Sequence, residues 1–216
     1  MTSRASRIRH PFFARVYSHI SPIAERLGTA AHRDRLLARL AGRVIEIGCG
    51  NGLNFAHYPA DVTEIIALEP EPFLRIAAEL ATSNTSIPIR IIESRAESLP
   101  FPDASFDAAV ISLVLCSINS PSLALAEIHR VLKPEGELRF YEHVASSTEP
   151  LRRYQRLVSP LWRRMGGGCH PDRDSESLIN SAGFTINEID RFDFRPGPAF
   201  PTALVQPHIL GIAHRR

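Results

Sequence analysis

Hydrophobic residues recur along this chain with two periods, and their alternation predicts the architecture. Short, largely β-branched runs at Val44-Ile45-Glu46-Ile47, Ile65-Ile66-Ala67-Leu68, Ile87 to Ile92 and Phe106 to Leu115 read as buried strands, covered on both faces. Around them, apolar residues fall at helical spacing. Phe12, Phe13, Val16, Tyr17 and Ile20 share one face; Ser21-Pro22 is expected to restart the chain, and Ile23, Ala24 and Leu27 continue helically to Gly28. Leu36, Leu37 and Leu40 mark a further helix that Gly42 stops. Leu53 to Tyr58 is expected to start a helix. Pro70 to Ala81 is another, with Pro72 in its first turn, and Pro121 to Leu132 is a third, stopped by Lys133-Pro134-Glu135-Gly136.

The second half continues with strands at Glu137 to Val144, Phe184 to Phe192 and Ala203 to Ala213. A short helix, Ser175 to Ser181, has Asp172 or Asp174 as its N-cap and Gly183 at its end. Between these lies an insert, Ala145 to Pro171, with an amphipathic basic segment from Leu151 to Met165. The Gly166-Gly167-Gly168 run that follows suits the hinge of a lid. If the sixth strand runs with the others, the loop Phe194 to Pro201 returns to the ligand edge and brings Phe194 and Phe200 near a substrate. Strands alternating with helices in this way predict an α/β fold with a mostly parallel sheet.

Composition narrows the setting. At 216 residues one domain is the expected size, large enough to bury a core without staples. Three cysteines, one inside a glycine turn, make no disulfide framework and suit a reducing, cytoplasmic compartment. No stretch has a signal-peptide layout, and the longest strongly apolar run, Ala108 to Ile118, is too short to span a bilayer. Net charge is +2, but nine arginines of residues 1–43 face only Glu25 and Asp34, so the positive excess sits at that end. Such asymmetry serves a nucleic acid, an anionic membrane surface or simply a solvated helical face. Capping of a cleft is expected here rather than nucleic-acid binding, because the apolar face from Phe12 to Ile20 needs a partner surface; peripheral membrane contact stays open.

The candidate chemistry starts at Gly48-Cys49-Gly50-Asn51-Gly52, directly after the first strand. Alternate glycines let the backbone turn tightly and approach a ligand. A dinucleotide site would place its last glycine one position later. The second mark is Glu69, which closes the second strand seventeen residues after Gly52 and can accept both ribose hydroxyls of a nucleoside.

With Glu46 two residues ahead, the glycine turn resembles motif I of the class I S-adenosylmethionine-dependent methyltransferases. Ala96-Glu97-Ser98-Leu99-Pro100-Phe101-Pro102-Asp103-Ala104-Ser105-Phe106-Asp107 is similar to a run of the ubiquinone/menaquinone-type members. So is Glu127-Ile128-His129-Arg130-Val131-Leu132-Lys133-Pro134-Glu135-Gly136. This resemblance implies a Rossmann-like seven-stranded, mostly parallel sheet with helices on both faces and an antiparallel last strand. It also implies an N-terminal helical cap at 1–41 and a methyltransferase domain at 42–216 with its lid insert around 145–171. S-adenosylmethionine is the implied cofactor. The residues assigned to it are Glu46, Gly48, Cys49, Gly50, Asn51, Gly52, Glu69, Pro70, Arg95, Ala96, Glu97, Ser112 and Leu113. Arg95 stands where the family usually has an acid, so adenine recognition is expected from backbone groups around Ala96, aided by Glu97.

A narrower resemblance lies in Gly50-Asn51-Gly52-Leu53-Asn54-Phe55, Leu113-Val114-Leu115-Cys116-Ser117, Glu142-His143-Val144-Ala145, Gly168-Cys169 with Arg173, and Pro207-His208-Ile209. These fragments look like the methyltransferase-like 7 group, which implies a small thiol as acceptor, methylated on sulfur. Quinone, phospholipid and other small-molecule methylations are the alternatives, ahead of a nucleotide-dependent oxidoreductase or a non-catalytic binding module. A thiol needs a base or a positive field to ionise; His143 and His170 are the candidate bases and Arg173 the candidate field. Cys169-His170-x-Asp172 lacks a second ligand pair at usable spacing, so no metal is expected.

Overall fold

A computed structural model describes residues 10–197 and 203–216. Among the described residues seven strands form one sheet: β1 (Gly42–Ile47), β2 (Val62–Leu68), β3 (Ile89–Ile92), β4 (Phe106–Ser112), β5 (Leu132–His143), β6 (Phe184–Asp193) and β7 (Pro207–Arg215). Their order is β3-β2-β1-β4-β5-β7-β6. Strands β1 to β5 pair in parallel, while β7 lies antiparallel between β5 and β6. Strand β6 therefore runs with β5, as the loop argument required.

The period of two within β1 sends its side chains to two separate cores. Ile45 and Ile47 join Phe106, Ile111 and Phe140 on one face, covered by helices α4 (Pro121–Val131) and α6 (Ser175–Ser181) through Leu125, Ile128 and Ile179. Val44 joins Ile65, Val110 and Tyr141 on the other, covered by α2 (Ala30–Leu37) and α3 (Pro72–Ala81) through Leu36, Leu37 and Ala78. With both faces covered, the continuous apolar runs are accounted for. Strand order reverses between β1 and β4, which opens a crevice at their carboxyl ends.

Several local expectations are corrected. Helix α1 (Pro11–Ala24) runs through Pro22 instead of restarting there, and passes into α2 by a widened turn at Glu25–Thr29, where Gly28 takes φ 125°. A proline removes one N–H from the helical ladder, and here the turn breaks six residues later. Leu53 to Tyr58 forms only a 3₁₀ turn, Phe55–His57, because Asn54 and Tyr58 at its ends are tied to Glu46 and Pro59 follows. Strand β4 stops at Ser112, since Leu113 takes φ 58° and gives its N–H to the Tyr141 carbonyl at 2.6 Å. Strand β5 starts at Leu132, ahead of the expected Glu137, and β7 only at Pro207. The basic insert is helix α5 (Glu149–Met165). Phe194 packs edge-on against His32, with ring centroids 4.6 Å apart; Phe200 lies outside the described residues. No helix among the described residues is long and apolar enough to cross a membrane.

Candidate active site

The crevice holds a mostly apolar cleft of about 290 Å³, and its walls come from distant parts of the chain. Gly48, Gly50, Glu69, Pro70, Arg95, Ala96, Glu97, Ser112 and Leu113 line it, nine of the thirteen residues assigned to the cofactor. Phe13 and Tyr17 of α1, and Gly167 and Gly168 beyond α5, close the other side.

Two of the glycines have distinct physical reasons. Gly48 has φ 67°, and a Cβ there would stand 2.7 Å from the Val114 side chain, so no other residue fits. Gly50 has φ 59°, but a Cβ there would meet nothing nearer than the Tyr17 ring at 3.5 Å. Its bare face is the floor of the cleft.

Glu69 is held at that floor by two backbone donors. The Gly50 N–H gives to Oε2 at 2.8 Å and the Glu71 N–H to Oε1 at 2.9 Å. Each carboxylate oxygen keeps a further lone pair for a ligand hydroxyl. Burial raises this carboxyl to about 7, against the opposing pull of the two N–H donors. Across the cleft, Arg95 pairs with Glu97 at 3.2 Å, so the basic residue at the expected acid position is neutralised by its neighbour.

The remaining four assigned residues stand behind the floor. Glu46 is buried, with Oε1 accepting from Asn54 Nδ2 at 2.7 Å and Oε2 from the Tyr58 hydroxyl at 3.0 Å, so it fastens the loop instead of facing the cleft. Cys49 points into the core, and burial pushes its thiol up. Asn51 donates to Ser21 Oγ at 3.0 Å and ties the turn to α1. Gly52 packs against Phe55 and Ala81.

Sequence reasoning placed Tyr17 on the face expected to cap a cleft without assigning it to the site, and missed Arg33 altogether. Arg33 is 5% exposed and bonds Glu25 at 2.9 Å, Asn54 Oδ1 at 2.5 Å and Ser112 Oγ at 3.4 Å. It thereby joins α2 to the loop that Glu46 holds and to the end of β4. An arginine on the same helix as Leu36 and Leu37 was the available signal.

Neither of the two expected bases, His143 and His170, nor the expected field source Arg173 lines the cleft. His143, at the end of β5, has Nδ1 3.8 Å from both Cys116 Sγ and Cys169 Sγ. Arg173 donates Nη1 to the carbonyls of Leu115 and Ile118, the latter at 2.7 Å, and so fixes the turn after β4. The same turn is gripped from below by Glu142, whose carboxylate accepts the N–H groups of Val114, Leu115 and Cys116 at 2.9, 2.8 and 3.0 Å. His170 lies in a shallower depression that shares His10, Asn119 and Gly168 with the cleft and adds Leu161, Arg163 and Arg164. Its Nε2 is 3.2 Å from Arg163 Nη1, and burial holds its imidazole below the usual range.

The cleft suits S-adenosylmethionine: a glycine floor open to a ligand, an acceptor pair at Glu69 for a ribose, and apolar walls at Leu68, Leu74 and Ile118 for an adenine ring. Comparison with known proteins agrees. The methyltransferase domain family matches residues 45–140. Thiol S-methyltransferase TMT1B of Rattus norvegicus is 35% identical over 175 residues, covering 79% of this chain and 69% of that protein. Human thiol S-methyltransferase TMT1A is 30% identical, with 79% of this chain and 69% of that protein covered. The UbiE C-methyltransferase of Citrobacter koseri is 29% identical over half of each chain. Among solved structures, an S-adenosylmethionine-dependent methyltransferase of Thermotoga maritima superposes with TM-score 0.70 at 20% identity, covering 95% and 97% of the two chains. The [4+2]-cyclase SpnF superposes with TM-score 0.68 at 20% identity, over 94% of each. The likenesses to solved structures carry the fold; the curated relatives carry the family. The chain belongs to the class I S-adenosylmethionine-dependent methyltransferases, which makes it a methyl-transferring enzyme.

Proposed function

We propose that the acceptor is a small thiol, methylated on sulfur. The observation that carries this reading is the depression made cationic by Arg163 and Arg164, beside His170, which joins the cleft at Asn119 and Gly168. A positive mouth raises the local population of a thiolate over its neutral thiol. The curated relatives named thiol S-methyltransferases agree with it in chemistry.

When bound, S-adenosylmethionine supplies the sulfonium methyl that an acceptor sulfur takes by in-line displacement. Gly50 and Glu69 hold the nucleoside end, with Pro70, Ala96 and Glu97 around the base and Ser112 and Leu113 beside the glycine turn. Glu46, Asn51, Gly52 and Arg33 keep that turn rigid. Positioning of this kind can supply roughly 7–11 kcal/mol of barrier reduction. The acceptor's proton leaves to solvent through the depression, which His10 and His170 both line. His143 and Arg173 act as positioning residues behind the wall.

In the same reading the helices of residues 1–41 serve as a cap, through Phe13 and Tyr17, and residues 145–171 serve as the lid on the acceptor side. Three free buried thiols suit a cytoplasmic setting. The experiment is charge reversal at the mouth, Arg163→Glu with Arg164→Glu. It should raise KM for an anionic thiol with little change in cofactor affinity. An unchanged KM would remove the mouth from acceptor binding.

A further inference from the structure

The fold brings together three soft ligands that no local motif announces. Cys116 lies in the turn after β4, His143 ends β5, and Cys169 follows the glycine run beyond α5. Their ligand atoms all lie within 4.8 Å of one another, and Cys116 and Cys169 are 1% and 6% exposed. We propose that Cys116, His143 and Cys169 bind a thiophilic d¹⁰ cation, with Zn²⁺ as the working ion.

Geometry is the first argument. His143 Nδ1 stands 3.8 Å from each sulfur. Ligands at about 2.3 Å (sulfur) and about 2.0 Å (nitrogen) from a tetrahedral zinc are separated by roughly 3.6 Å. The two nitrogen–sulfur spacings therefore need contraction by only a few tenths of an ångström, and the two sulfurs lie within 4.8 Å of each other. As hydrogen bonds, the same contacts are long, and among the described residues Nδ1 has no other polar partner.

Charge and softness are the second. Two thiolates and a neutral imidazole exactly offset a divalent cation, which lets the set remain buried without an uncompensated charge. Thiolate and imidazole together favour Zn²⁺ or Cu⁺ over Mg²⁺ or Ca²⁺. Three protein ligands are also the usual complement of a zinc site that keeps one position open.

Preorganisation is the third. The Cys116 N–H is fixed on Glu142 at 3.0 Å, and the Cys169 N–H on the Gly166 carbonyl at 3.1 Å. The His170 N–H binds the Cys116 carbonyl at 2.8 Å and joins the two cysteine-bearing turns. The His143 ring packs on His208, with centroids 4.7 Å apart. Ser117 and Gly168, the immediate neighbours of the two cysteines, line the cleft. A cation here would clamp the turn after β4 to the turn after α5, two walls of the cofactor cleft. The proposal does not depend on which acceptor is methylated.

The test uses the full chain, stripped with a chelator, reduced with a phosphine and titrated with Zn²⁺. Calorimetry and metal analysis after gel filtration should find one equivalent retained, lost in Cys116→Ser, Cys169→Ser and His143→Ala. Co²⁺ in place of Zn²⁺ should give thiolate charge-transfer bands and intense tetrahedral ligand-field bands. A reduced, folded wild-type chain that retains no Zn²⁺ would overturn the proposal, including the case in which the two cysteines are found only as a disulfide-forming pair. Retention unchanged in all three variants would also overturn it, since the ion would then sit elsewhere. Where a variant fails to fold, the Co²⁺ spectrum of the wild type decides: a dithiolate tetrahedral signature supports the site, and its absence overturns it.

Discussion

Glu69, just after β2, accepts the backbone N–H of Gly50 at 2.8 Å, so the two sequence marks of the proposed nucleoside site are one hydrogen-bonded unit. The carboxylate and the glycine turn cannot be altered independently. The bond fixes the floor before any ligand arrives, and preorganisation of that kind lowers the cost of binding.

The first consequence is a pH dependence. Burial raises the Glu69 carboxyl to about 7, above an unfolded value of about 4.3. The folded chain without ligand therefore favours the protonated form. That contribution to stability is complete below the unfolded value and is lost as pH rises through the folded one. Cofactor binding runs the other way, because ribose hydroxyls need an ionised acceptor. Affinity for S-adenosylmethionine should tighten from about pH 6 to about pH 8, by at most about tenfold per unit. Glu69→Gln should weaken binding and flatten the slope. Calorimetry across this range checks it, and parallel slopes for the two proteins would remove the ribose role.

The glycines should separate binding from folding. Gly48→Ala forces a Cβ to 2.7 Å from Val114 with a left-handed backbone, and should cost roughly 2–4 kcal/mol of stability. Gly50→Ala meets nothing closer than 3.5 Å, and should cost only about 1–2 kcal/mol while cutting cofactor affinity. Denaturant midpoints together with calorimetry distinguish the two. Equal losses of stability would contradict the geometry.

Glu142→Ala should be among the more damaging core changes. It leaves the buried N–H groups of Leu115 and Cys116 and the part-buried one of Val114 without their acceptor. The expected loss is about 3 kcal/mol or more. Glu142→Gln keeps an acceptor oxygen and should lose less. Urea denaturation of the three proteins orders them.

Arg33 joins Glu25, Asn54 and Ser112 behind the cleft. Arg33→Met leaves the largely buried Glu25 carboxylate with only His57, 3.1 Å from its other oxygen, and should cost about 3 kcal/mol; the added change Glu25→Gln should recover part of it. Additive losses in a double-mutant cycle would mean that the pair is uncoupled.

The fold was largely legible because both of its periods are written plainly. Val44 to Ile47 and Ile65 to Leu68 are buried on both faces, and the amphipathic helices that cover them keep theirs. Where reading failed, a side chain reached across the chain. Leu53 to Tyr58 has helical spacing, but Asn54 and Tyr58 are both spent on Glu46. Phe106 to Leu115 has strand composition throughout, but Glu142 captures the N–H groups that would have extended the ladder. At the cleft, Gly48, Gly50 and Glu69 could be found from spacing alone because they lie at strand ends. Tyr17 was legible only as part of the capping face and Arg33 not at all, since their places depend on how α1 and α2 fold back over the sheet. His143 was visible as a strand-end residue. Its two sulfur neighbours lie 27 and 26 residues away, with no motif to link them.

The central claim is transfer of a methyl group from S-adenosylmethionine to a small thiol. It is tested most directly by following a labelled methyl group from the cofactor into a panel of small thiols, quinols, phenols and amines. The thiols should be labelled on sulfur, at a rate that rises with pH as the thiolate fraction grows; at the reference thiol pKa of about 8.5, roughly a tenth is ionised near pH 7.5. No label in any thiol, alongside clear transfer to a quinol or an amine, would contradict the account.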